Sequence, residues 1–112
     1  MNANNLLDLI KTGKGYTIEL KESINSSLGK EICSFANAQG GKIIIGVEDK
    51  TNIVKGFKLT NKDKSKIQDI VRNIDPSFNV QIEQIQNIVI IYVPEGKNKP
   101  YTVNGHFYIR QG

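Results

Sequence analysis

The 112-residue sequence contains one cysteine, one histidine and no tryptophan. Cys33 has no second cysteine for an internal disulfide, which excludes a disulfide-stapled secreted scaffold. Because His106 is the only histidine, a zinc site built from cysteine and histidine is excluded as well. No uncharged apolar run approaches the roughly 20 residues of a membrane span, and the N-terminus lacks the pattern of a secretion signal. We therefore expect a cytoplasmic protein with no membrane contact and no cofactor.

Charge is present in both signs but is unevenly distributed along the chain. The 15 Lys and Arg residues exceed the 11 Asp and Glu residues, which gives a net charge of +4. Residues 1–54 carry six basic and six acidic groups, whereas residues 55–112 carry nine and five. Five lysines lie close together in the second part, with a single acid, Asp63, among them: Lys55, Lys58, Lys62, Lys64 and Lys66. This clustering favours a phosphate-contacting surface, and the alternative is an ordinary solvated loop and helix start.

Hydrophobic periodicity predicts three helices and seven short strands. The predicted helices are residues 2–11, a segment from Ser26 or Ser27 to Gly40-Gly41, and one from Thr60 or Asn61 to Asp75-Pro76. The predicted strands are residues 16–21, 42–47, 52–57, 78–85, 88–93, 101–103 and 106–109. We expect an α+β domain with a single mixed, mainly antiparallel sheet, two main helices, a short N-terminal helix and C-terminal hairpins.

Local signals refine three of these elements. Residues 42–47 are apolar without alternation, which is typical of a central strand buried on both faces. Gly46 within it predicts a bulge or a close approach of another backbone. Asn104-Gly105 is a strong signal for a two-residue hairpin turn. Residues 16–21 alternate and predict a strand that is buried on one face only.

Several motifs together resemble the Schlafen-type AlbA_2 domain family. They are Ile18-Glu19-Leu20-Lys21, the run ICSFANAQGGKIIIGVED over residues 32–49, Val54-Lys55-Gly56, and YIRQG over residues 108–112. The resemblance covers nearly the whole chain from Tyr16 onward. It implies that residues 1–112 form a single domain at the N-terminal part of a longer chain. It also implies a DNA-binding role of the kind described for bacterial transcription regulators in this family.

The same resemblance raises a second function, since animal Schlafen relatives use acidic residues for metal-dependent RNA cleavage. Glu19 and Asp49 correspond to the second and third acids of that nuclease pattern, while the first acid falls on Lys14. A lysine there removes a ligand and adds a positive charge next to a metal. We therefore expect no enzymatic activity and no metal site, and a divalent-metal nuclease is the alternative. A third possibility is a protein-interaction or dimerisation module that pairs through its edge strands.

We predict that phosphates are contacted by five side chains: Lys21, Lys42, Lys55, Lys58 and Arg110. Lys21 shares a strand face with Glu19, so a salt bridge between them is the alternative to a phosphate contact. Arginine matches phosphate geometry, and Tyr108 next to Arg110 offers a stacking face. Structural roles are predicted for the remaining motif residues: Glu19, Asn37, Gly40, Gly41, Gly46 and Asp49. The expected partner is nucleic acid, with DNA favoured over RNA, and a homodimer is left open.

Overall fold

The computed structural model describes residues 1–110, so Gln111 and Gly112 of the closing YIRQG motif lie outside the described residues. The elements in this part of the chain are α1 (Ala3–Thr12), β1 (Ile18–Lys21), α2 (Leu28–Asn37), β2 (Gly41–Ile45), α3 (Asn61–Arg72), β3 (Ile74–Asp75), β4 (Gln81–Ile85), β5 (Ile88–Val93), β6 (Thr102–Val103) and β7 (His106–Phe107). None of these helices has the length and apolar character needed to cross a membrane.

The strands form two sheets. The larger sheet has the order β1-β2-β5-β4, with β1 parallel to β2 and the other two pairings antiparallel. The smaller sheet has the order β3-β6-β7 and is antiparallel. The predicted α+β class is confirmed, but the prediction of one sheet is wrong. The C-terminal hairpin pairs with β3, and the Tyr101 backbone just before it is bound to Asn37 at the end of α2.

Both faces of the larger sheet are covered, and β2 shows this most clearly. Ile43 and Ile45 belong to the apolar cluster formed with α2 and α3. Ile44, between them, belongs to a second cluster that includes Leu6 and Ile10 of α1. All three isoleucines are fully buried. The prediction of a central strand buried on both faces is therefore confirmed.

Helix α3 begins at a complete capping box. Thr60 accepts a hydrogen bond from the backbone N–H of Asp63, and the Asp63 carboxylate accepts from the backbone N–H of Thr60. These reciprocal bonds satisfy amides that a helix start leaves free. The hydrogen bonds from Thr60 also hold the pKa of Asp63 below its ordinary value.

Several predicted elements differ from those observed. The strands predicted over residues 16–21, 78–85 and 106–109 are shorter in the structure, as Ile18–Lys21, Gln81–Ile85 and His106–Phe107. Helix α3 ends at Arg72, before Asp75-Pro76, because Ile74 and Asp75 pair with Val103 and Thr102 instead of continuing the helix. Residues 52–57 form no strand, only an isolated bridge between Val54 and Val47. Positive φ angles at Asn52 (59°) and Gly56 (89°) turn the chain at both ends of this segment.

Gly46 lies where two backbone segments meet, as its position in the predicted strand indicated. Its φ is 110°, and a Cβ there would lie 3.1 Å from the carbonyl carbon of Gly56. The amides of Lys55 and Gly56 both donate to the Gly46 carbonyl. These contacts hold Lys55, the first of the five clustered lysines, against the end of β2.

Candidate nucleic-acid interface

Four exposed lysines lie on the loop before α3 and on the first half of that helix. We call Lys58, Lys62, Lys64 and Lys66 the α3 lysine surface. Within residues 1–110 none of the four forms an ion pair with a carboxylate. Lys55 lies three residues before Lys58, and its Nζ is 3.6 Å from Glu48 Oε2. With Asp63 as the one acid among these lysines, the surface presents a net positive charge to solvent.

The loop that carries Lys58 is held by the side chain of Gln84 on β4. Gln84 Nε2 donates to the Phe57 carbonyl at 3.0 Å, and its Oε1 accepts from the Leu59 amide at 2.7 Å. The same nitrogen reaches the carbonyls of the β4–β5 turn, so one amide group ties the loop to the hairpin. The sequence offered no signal for this role, because a glutamine in an edge strand is ordinary.

Lys58 and Lys64 line a groove of about 420 Å³ together with three residues that carry amide side chains. The amides come from the β4–β5 hairpin and are those of Gln84, Gln86 and Asn87. A pair of ammonium groups beside hydrogen-bonding amides suits a phosphate and its sugar. Because the loop is bound at both flanking residues of Lys58, this groove is formed before any ligand arrives.

The five predicted phosphate contacts do not form one surface. Lys55 and Lys58 lie on the same loop. Lys42 lines a separate groove, described below, on the face of the sheet that α1 covers. Lys21 and Arg110 lie in ion pairs inside the molecule. The predicted role of each in phosphate binding stays a prediction.

Lys21 is 7% exposed, although its strand face was expected to be open. Its Nζ lies 2.9 Å from Glu31 Oε1 and donates to Ser27 Oγ at 2.8 Å. The salt bridge considered with Glu19 is not formed. Burial raises the pKa of Glu31, and the hydrogen bond from Lys21 opposes that rise. Lys21 thus compensates a carboxylate of α2 and has little surface left for a polyanion.

Arg110 ties the C-terminal segment to β1. Its Nη1 donates to Glu19 Oε2 at 3.0 Å, and its Nη2 donates to the Gly15 carbonyl at 2.5 Å. The guanidinium also lies over the Phe35 ring, 4.3 Å from its centroid. A phosphate contact by Arg110 would compete with all three interactions, so the geometry favours the structural role.

An acidic groove of about 650 Å³ contains the carboxylates that a nuclease would use. Its acids are Glu19, Glu22, Glu31, Glu48 and Asp49. Lys14 lies beside them, with its Nζ 2.9 Å from Asp49 Oδ2 and 4.0 Å from Glu19 Oε1. The hydrogen bond to Asp49 raises the pKa of Lys14, which keeps the ammonium charged.

These carboxylates do not fit a divalent cation. Glu19 is bound by Arg110, and Asp49 is bound by Lys14. Within residues 1–110 there is no group of three His, Cys, Asp or Glu side chains arranged to hold a metal ion. Two or three free carboxylates converging on one point are what Mg²⁺ or Mn²⁺ requires. The Arg110 guanidinium and the Lys14 ammonium lie where a metal ion would have to lie, and they neutralise the two carboxylates that would bind it.

Asn37 and the two glycines after it have structural roles. Asn37 Nδ2 donates to the carbonyls of Tyr101 and Tyr108, each at 2.8 Å, and its Oδ1 accepts from the Tyr101 amide. A Cβ at Gly40 would lie 2.6 Å from the Val93 carbonyl oxygen, and one at Gly41 would lie 2.5 Å from the Phe35 ring. Both glycines are needed because other atoms fill the space that a side chain would take.

The structure resembles the crystal structure of the DIP2311 protein from Corynebacterium diphtheriae, a structural-genomics target. The match has a TM-score of 0.65 at 18% identity, and it covers 97% of this chain and 25% of that protein. At this identity the match shows a shared fold only. The chain spans about a quarter of the length of the protein it matches.

The family comparison is more specific. The family model described as Schlafen, AlbA_2 matches residues 14–112. The matched region contains the motifs built from Glu19, Asn37, Gly40, Gly41 and Asp49. It leaves out α1. The chain therefore belongs to the Schlafen AlbA_2 family, a family associated with nucleic-acid binding.

Proposed function

We propose that this domain binds nucleic acid through the α3 lysine surface, mainly by contacts to phosphates. The observation that carries the proposal is the set of four exposed lysines without a carboxylate partner in residues 1–110. Membership of the Schlafen AlbA_2 family supports it. Lys55 lies on the same loop as Lys58, whereas Lys42 lies in a separate groove and Lys21 and Arg110 are held in ion pairs.

Helix stability does not account for lysines at this position. Cations near a helix N-terminus meet the positive end of the helix dipole and are unfavourable there. Lys62 and Lys64 nevertheless lie in the first turn of α3, and Lys66 follows in the next turn. Side chains that the helix itself does not favour are more simply explained by a ligand of opposite charge.

We propose further that the domain binds without cleaving. The ion pairs of Lys14 with Asp49 and of Arg110 with Glu19 support this, because they occupy the acids that metal-dependent hydrolysis would use. The polymer we propose is DNA, and the role is that of the DNA-binding part of a bacterial transcription regulator. Both rest on the sequence resemblance described above.

The test is a titration of labelled duplex DNA and duplex RNA of the same sequence at low and moderate salt. Three proteins are compared: the wild type, K58Q/K64Q and the control K11Q/K97Q. Both double variants lower the net charge from +4 to +2, since each removes two positive charges. Lys11 and Lys97 are exposed lysines outside the proposed surface.

We expect K58Q/K64Q to bind more weakly than the wild type. The slope of log affinity against log salt should fall by about one for each lysine lost. K11Q/K97Q should retain the wild-type slope. Equal losses of affinity in the two double variants would show that net charge alone, and not the α3 lysine surface, decides binding. Absence of binding by the wild type at low salt would overturn the proposal. Cleavage of structured RNA with Mn²⁺ that disappears in E19Q would instead establish the nuclease.

A further inference from the structure

A second groove lies at the other end of β4, on the face of the sheet that α1 partly covers. Its volume is about 660 Å³. We call it the Lys42 groove. Lys42, Tyr92 and Gln81 stand directly opposite one another on β2, β5 and β4. Residues paired in this way lie about 5 Å apart on one face of a sheet. An ammonium group, an aromatic ring and an amide thus form a row across its floor.

The polar groups of the Lys42 groove are free to bind a ligand. Gln39, Asn79 and Gln81 are exposed and line it together with Lys42. In the part of the chain that the structure describes, these four side chains form no hydrogen bond or ion pair. Among residues 1–110 no carboxylate lines this groove, in contrast to the acidic groove, and Lys42 is the one charged side chain of those residues that lines it.

The ring of Tyr92 is held in place by a neighbour outside the groove. Tyr92 Oη donates to Glu83 Oε1 at 2.5 Å. Burial, together with this hydrogen bond, raises the pKa of Tyr92 to about 12, so the phenol stays neutral. A neutral, half-buried ring fixed by its hydroxyl offers a preformed stacking surface.

We infer that the Lys42 groove binds one unpaired nucleotide of the bound polymer. The base stacks on Tyr92, the amides hydrogen-bond its exposed edge, and Lys42 contacts the adjoining phosphate. Aromatic rings beside a basic group are the usual means of holding unstacked bases, whose faces a duplex hides. The inference rests on the proposed function and narrows it to nucleic acid with a single-stranded segment.

The two surfaces can be separated experimentally because they lie at opposite ends of β4. Gln81 borders the Lys42 groove, and Gln84 holds the loop of Lys58. Gln81 and Gln84 are also on opposite faces of the sheet, since side chains alternate along a strand. A substitution in one surface should leave the other intact.

The experiment compares three labelled probes of equal length: a single-stranded oligothymidylate, a strand of the same backbone without bases, and a duplex. The proteins are the wild type, Y92L, Y92F and the control F107L, which replaces an exposed aromatic residue outside the groove. Thermal unfolding of each variant confirms that it is folded. Y92F retains the ring and removes only the hydroxyl. If Y92L is unstable, the wild-type affinities for the strands with and without bases still test the inference.

We expect Y92L to bind the single strand roughly 5- to 150-fold more weakly, the range that corresponds to one stacked base. Its binding to the baseless strand and to the duplex should be unchanged, and Y92F and F107L should bind all three probes nearly as the wild type does. Equal wild-type affinity for the strands with and without bases would overturn the inference, and so would unaltered single-strand binding by folded Y92L. Either result leaves the proposed function standing. Failure to bind any of the three probes would remove both.

Discussion

At the scale of single residues, the sequence indicates chemistry but not the partner of each side chain. A structural role is predicted for Asn37, and its side chain fulfils it by bonding the backbone of Tyr101 and Tyr108 from the far end of the chain. For Lys21 the sequence leaves open a phosphate contact or a salt bridge with Glu19, and the structure pairs it with Glu31. In both cases the contact depends on how distant segments pack, which a local pattern does not contain.

Asn37 gives a direct test of this long-range contact. N37A should lower the free energy of unfolding by about 2–4 kcal/mol, because it leaves buried amide and carbonyl groups of the C-terminal segment without partners. The control is N4A, at an exposed asparagine of α1 whose side chain makes no hydrogen bond within residues 1–110. Chemical denaturation measures both. Equal unfolding midpoints for N37A and N4A would contradict the role of Asn37 as the tether of the hairpin.

At the scale of elements, those with local signals were predicted and those set by tertiary pairing were not. The buried strand β2 and the turn at Asn104-Gly105 follow from the local sequence alone. The turn has the positive φ angles that it needs, 52° and 78°. The end of α3 at Arg72 and the second sheet depend on pairing between β3 and β6. The same holds for the site, since the lysine cluster was visible in the sequence and the Lys42 groove was not.

The connection from α2 to β2 leaves no room for added volume. Gly40 and Gly105 both have positive φ, 75° and 78°, so alanine strains the backbone equally at either position. Only at Gly40 would the new Cβ meet other atoms, the nearest 2.6 Å away, whereas Gly105 has open space. G40A should therefore be less stable than G105A by about 1–3 kcal/mol, the usual cost of overpacking. Denaturant titration of the two variants measures this difference, and equal stabilities would show that Gly40 serves its φ angle alone.

At the scale of the whole molecule, the domain depends on a helix that the family match leaves out. The matched region begins at residue 14, yet α1 covers one face of the larger sheet. Leu6 and Ile10 pack there against Leu20, Ile44 and Ile90. Without α1 these sheet residues would face water, so the helix is part of the core even though it lies outside the region that the family model matches.

The contribution of α1 can be measured with two adjacent leucines. Leu6 is 2% exposed and Leu7 is 46% exposed. L6A should lower the free energy of unfolding by about 2–5 kcal/mol, since it removes buried methyl groups and leaves a cavity between helix and sheet. L7A changes the same side chain in the same helix and should cost less than about 1 kcal/mol. Urea unfolding of both variants decides the matter. If L6A were as stable as L7A, α1 would be dispensable and residues 14–110 would form the whole core. If L6A loses the expected stability, binding assays must use a chain that includes α1.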